Sequence, residues 1–124
     1  MKLQPDRLDL PTITGHGPGW IGLDGEKISH SIIIGSRGER LDWALTRFAD
    51  LGPAHFASLA ELAPELVLLG SGNVLRFPHP AWLAGLSARR IGVETMDTPA
   101  ACRTYNILAG EGRHVVAALL LETP

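Results

Sequence analysis

Cysteine occurs once in the 124 residues, at Cys102, so an internal disulfide is excluded and a reducing compartment is expected. Charge of one sign is also scarce. Eleven Lys and Arg against thirteen Asp and Glu give a formal net charge of −2, which offers no electrostatic footprint for nucleic acid. The longest apolar run, residues 115–121, falls far short of the roughly 20 residues that span a bilayer. At the start, MKLQPDRLDLP places Asp6, Arg7 and Asp9 where a secretory signal needs an apolar stretch, and a cytoplasmic setting is expected. The five histidines, His16, His30, His55, His79 and His114, lack the close pairwise spacing of metal sites, and a single cysteine makes no zinc signature. No Gly-Lys-Ser/Thr and no G-x-G-x-x-G occurs either. No metal and no cofactor is therefore expected.

What is present is a globular composition, 45% hydrophobic and 19% charged, long enough for one core and too short for two comfortable domains. Residues 1–11, with Pro5 and Pro11, read as an extended lead-in, and residues 12–124 as a single α/β domain.

The informative stretch is residues 91–109, IGVETMDTPAACRTYNILA, which reads as a buried strand running through a loop into a capped helix. Thr98 carries an oxygen that can accept a first-turn N–H, with Pro99 then at the first helical position, so Thr98 is the expected N-cap and Asp97 the alternative. Ala101, Tyr105 and Leu108 define the inward stripe, widened by Ala100 and Ile107, while Arg103, Asn106 and Ala109 fall elsewhere. Gly110 and Gly112 are the expected helix stop.

Before it, residues 12–35 read as β structure with a hairpin whose tip is Asp24-Gly25, because both central positions of a type I′ turn want positive φ. With the strand-like residues 41–43, the first third is expected to form one small sheet. A weak helix follows, with Phe56, Leu59, Ala60 and Ala63 on one face and Pro64 as its stop. Residues 66–69 form a second buried strand, and Pro80 opens a helix running to about Arg90, with Trp82, Leu83 and Leu86 inward and Arg89 and Arg90 at its C-terminal dipole. Strand, helix, strand is a βαβ unit with parallel strands, so two loops share one sheet edge. The polar groups that can converge there are Ser71, Arg76, Glu94, Asp97, Thr98 and Arg103.

Two strings, GSG-x3-RFP over residues 70–78 and then GVETMDTPAACRTYNIL, resemble those of a small family of domains of unknown function. That family includes mitochondrial respiratory complex I assembly factor 3, an adipogenesis-associated protein and many uncharacterised bacterial proteins. The resemblance is closest over residues 65–120 and extends to His16-Gly17-Pro18-Gly19. It implies a three-layer β+α/β/α fold around a central mixed sheet, with residues 114–121 as a central last strand antiparallel to the others. No established catalytic activity and no cofactor comes with it. The mitochondrial branch acts in assembly, and without a transit peptide this chain is expected among the bacterial members.

Each polar feature has two readings. Cys102 is either a nucleophile near a helix start or a small buried side chain, and burial is the expectation. Gly70, Ser71, Gly72 and Asn73 with Arg76 form either an anion cradle or a tight connection. Arg103 binds an anion or pairs with Glu94 or Asp97, while Tyr105 and Asn106 pack and satisfy loop backbone. Together these readings make a binding or assembly-factor-like protein, acting through a protein surface alone or as a homo-oligomer. The alternative is a small-molecule or anion site, open to enzymatic use, at the Gly70 loop and the helix start.

Overall fold

The computed structural model describes residues 10–122. The expected lead-in therefore lies outside the described residues except at positions 10 and 11. Among the described residues, eight strands and three α-helices follow in the order β1 (Ile13–Gly17), β2 (Trp20–Leu23), β3 (Glu26–Ile28), β4 (Ile32–Gly35), β5 (Arg40–Asp42), α1 (Pro53–Ala60), β6 (Leu66–Gly70), α2 (Ala84–Ala88), β7 (Gly92–Met96), α3 (Thr98–Gly110) and β8 (Val115–Leu119).

The β2–β3 hairpin turns at Asp24 and Gly25, whose φ angles of 52° and 85° are those a type I′ turn requires. Strands β1 to β3 form an antiparallel sheet of their own. The expectation of one small N-terminal sheet is corrected at β4, which leaves that sheet and pairs with β5 on one side and β8 on the other. Its run of isoleucines is buried on both faces, and only the middle of a covered sheet supplies such a position.

The central sheet has the order β5-β4-β8-β6-β7 and is mixed. β8 runs parallel to β6 and antiparallel to β4, so its expected antiparallel relation holds toward one neighbour and not toward the βαβ unit. β6 and β7 are parallel in the register Leu66↔Gly92 to Gly70↔Met96. Alternation along the strands splits the core in two. Ile32, Ile34, Leu66, Leu68, Val115, Ala117 and Leu119 face α3 and the three-stranded sheet, while Ile33, Val67, Leu69, Val116 and Ala118 face α1 and α2. The result is a three-layer β+α/β/α architecture.

Local corrections have local causes. α1 ends at Ala60, and Ala63, with φ 51°, has left the helix instead of extending its apolar face. The helix expected from Pro80 is a 3-10 turn, Pro80–Leu83, followed by α2. Arg89 donates to the Ala60 carbonyl at 2.7 Å, so it serves the C-terminus of α1 and not its own helix, and Arg90 turns the chain at φ 60°. In α3 the buried set is Thr98, Ala101, Cys102, Tyr105 and Ala109, whereas Ile107 is exposed. Small residues permit the close approach of this helix to the sheet, and that rotates the buried stripe away from Ile107. Gly110 remains helical, and Gly112 alone takes the left-handed conformation.

Candidate functional site

Because β6, β7 and β8 run the same way, their C-terminal ends meet at one rim, and α3 starts there. Thr98 ties that rim together. Its hydroxyl donates to the Leu120 carbonyl at 2.6 Å and accepts the Gly72 N–H at 2.9 Å, and its own N–H donates to the Gly72 carbonyl at 2.9 Å. A methyl group on Gly70 would stand 3.0 Å from that hydroxyl and 3.1 Å from Thr98 Cα, which is why the strand ends on glycine.

With its hydroxyl committed to the sheet, Thr98 is not the N-cap. Asp97 takes that place, its carboxylate accepting the Ala100 N–H at 2.8 Å, and Pro99 moves to the second helical position. Two adjacent residues could each cap this helix, and a tertiary partner decided between them.

The loop after β6 uses its own donors. The Ser71 N–H goes to the Met96 carbonyl at 2.8 Å, the Ser71 hydroxyl to the Val74 carbonyl at 2.8 Å, and the Arg76 N–H to Ser71 Oγ at 3.1 Å. The Ser71, Gly72 and Arg76 backbone donors, which an anion cradle would use, are thus already engaged. The Arg76 side chain is engaged as well. It grips Glu122 in a two-point pair at 2.8 and 2.5 Å, and its guanidinium lies over the Phe48 ring at 5.4 Å. Hydrogen bonds from Arg76 hold the Glu122 carboxyl below the usual carboxylate range against the opposing effect of burial, with help from the Phe48 and Asn73 backbone. Gly72, at φ 101°, passes so close to Glu122 that a Cβ there would meet its oxygen at 2.5 Å.

Thus Gly70, Ser71, Gly72, Arg76, Asp97 and Thr98 share one rim, where Glu122 holds Arg76. Glu94 and Arg103 do not join them. Both are exposed, and among the described residues neither forms an ion pair, so the expected Arg103 link to Glu94 or Asp97 is absent. Non-adjacent residues are brought together only when some contact rewards it, and two long exposed side chains gain little from pairing. Tyr105 and Asn106 point to the N-terminal sheet. The Tyr105 hydroxyl donates to the Pro11 carbonyl at 2.7 Å, and Asn106 bonds the backbone of Ile13. Cys102 is fully buried, and burial pushes its thiol up to about 11, slightly offset by Arg103, which disfavours thiolate chemistry.

Three features escaped the sequence reading. Glu122 gave no local sign, lying 46 positions from Arg76. Glu39 and His114 pair at 2.6 Å with side chains only 16% and 7% exposed, joining the turn after β4 to the start of β8. The third is an apolar segment beside the clamp. Val74, Leu75 and Phe77 are 55%, 52% and 69% exposed. Its signal was available, since these apolar residues flank Arg76 with no helical or strand periodicity to bury them.

The chain is similar along its length to proteins of known sequence and structure. It is 38% identical over 82 residues to NADH dehydrogenase [ubiquinone] 1 alpha subcomplex assembly factor 3 of Mus musculus, a match covering 64% of this chain and 44% of that protein. The chain thus spans less than half of the assembly factor it matches. An uncharacterised protein of Rhodobacter capsulatus is 34% identical over 110 residues, covering 87% of this chain and 82% of that one. The crystal structure of a Bordetella parapertussis protein superposes with a TM-score of 0.85 at 42% identity, covering 90% of this chain and 95% of that one. The family profile described as a protein of unknown function, DUF498/DUF598, matches residues 13–120, from the first strand to the end of the last. Profile, relative and superposition therefore agree, and the chain belongs to the DUF498/DUF598 family.

Proposed function

We propose that this chain is a non-catalytic protein-binding module that presents the segment Val74, Leu75 and Phe77 to a partner protein. The observation that carries the reading is apolar exposure on a fixed backbone. Three large side chains face solvent within four residues, and Ser71 and Glu122 hold the segment at Val74 and Arg76. Solvent-facing hydrophobics scattered singly need no explanation, but a contiguous group marks an interaction surface. A loop already held in one conformation loses less entropy on binding, so more of its buried area appears as affinity. The name of the mammalian relatives, assembly factor, supports the same class of role.

The test uses a photo-crosslinking amino acid at Phe77, with Glu111 as an exposed control position. Crosslinks to the same protein from Phe77 and not from Glu111, lost when Val74 and Leu75 are both changed to Ser, support the reading. Denaturant melts must be unchanged by that double substitution. Equal crosslinking from both positions would sink it. If the captured protein is a second copy of the chain, sedimentation will show a dimer that the double substitution dissolves.

A further inference from the structure

β7 closes one side of the central sheet, and no strand among the described residues pairs with its outer side. The inner bonds fix which backbone groups are free. The Gly92 N–H donates to the Glu65 carbonyl at 3.1 Å, and the Met96 carbonyl accepts the Ser71 N–H at 2.8 Å. In a parallel ladder alternate residues bond to alternate sides, so Gly92, Glu94 and Met96 serve β6 while Val93 and Thr95 aim both N–H and C=O outward. The strand is five residues long, has no proline or bulge, and carries one charge, Glu94, at its middle. Open edges of this kind are templates for another strand unless something blunts them.

We infer that β7 accepts an extended segment of another protein by strand addition, with a Lys or Arg of that segment opposite Glu94. Charge selects this occupant over a second copy of the chain. Two β7 strands that overlap fully in antiparallel fashion pair Val93 with Thr95 of the other copy, which places Glu94 opposite Glu94. That position is the non-hydrogen-bonded pair, where side chains stand closest, and like charges directly opposite destabilise it. Glu94 is exposed and has no ion-pair partner among the described residues, so a cation on an incoming strand meets an unshared carboxylate. The main chain of Val93 and Thr95 supplies the attachment and Glu94 the selection. This edge is distinct from the Val74–Phe77 loop, so either surface can fail its test without the other.

The probe is the capped pentapeptide Thr-Val-Lys-Val-Thr, whose symmetry makes strand direction immaterial, compared with Thr-Val-Glu-Val-Thr. Amide hydrogen exchange of the full chain is followed by NMR at millimolar peptide. The Lys peptide is expected to slow exchange at Val93 and Thr95 and leave their β6 neighbours unchanged. Binding about two- to five-fold tighter than the Glu peptide is expected from one opposed charge pair. Glu94→Lys, a surface change that leaves the fold intact, should reverse the preference. Thr95→Pro removes only an outward N–H and should abolish protection at Val93, provided the β6 amides stay protected. No protection by either peptide would mean that Glu94 merely guards the edge and would overturn the inference. Equal protection by both peptides would overturn it too, as would protection at Val93 and Thr95 that rises with protein concentration alone.

Discussion

Asn106 holds both backbone polar groups of Ile13: its side-chain oxygen accepts the Ile13 N–H at 3.0 Å and its amide donates to the Ile13 carbonyl at 2.7 Å. A helix side chain thereby stands in for a neighbouring strand at the edge of the three-stranded sheet. Asn106→Ala should lower stability by about 1 to 2 kcal/mol and speed amide exchange at Ile13 specifically. Unchanged exchange there would show that β1 is held by its hairpin and by packing alone.

Thr98 and Asp97 can be told apart by magnitude. Thr98→Val keeps the shape of the side chain but strands a buried N–H of Gly72 and a carbonyl of Leu120, for an expected loss of about 3 kcal/mol. Asp97→Ala removes one cap bond and should cost about 1 kcal/mol. Urea melts giving the reverse order would contradict the assignment of the cap to Asp97.

Acid should loosen the Arg76 clamp in a definite direction. The folded-state pKa of Glu122 lies below its unfolded value of 4.5, so its contribution to stability is present above that pH and is lost as pH falls through the folded value. Glu122→Gln should therefore be less stable than the parent at pH 7, with the gap narrowing as pH falls below 4.5. A gap independent of pH would mean that the carboxylate charge contributes nothing.

Cys102 should resist thiol reagents at pH 8 until the chain unfolds, because its thiol is buried and titrates near 11. Rapid labelling of folded protein would require a local opening of α3 and would return a nucleophilic role to consideration.

The βαβ unit was legible because a buried parallel strand is a short apolar run bounded by glycine and proline, a pattern that needs no distant partner. The rim was legible for the same reason, since parallel strands bring their exits together whatever their side chains do. Helix phase was less so. Reading α3 by its bulkiest residues pointed Ile107 inward, whereas the sheet took Cys102 and Ala109, whose small size lets the backbones approach. Arg76 found Glu122, and Ser31 caps the far end of β8 through Leu121, by contacts 46 and 90 positions apart that no local pattern announces. Nearness in sequence favours joining β4 to the N-terminal hairpin, whereas its neighbour in the sheet, β8, comes from far along the chain.

That placement of β8 shapes how the chain is born. Among the described residues the strand in the middle of the sheet follows its four neighbours in sequence, so the β4–β5 and β6–β7 halves emerge first as two ribbons, each with an open side and an oily face. Nothing seals them until residues 115–119 have cleared the ribosome, and nascent chains are expected to depend on holding chaperones up to that moment.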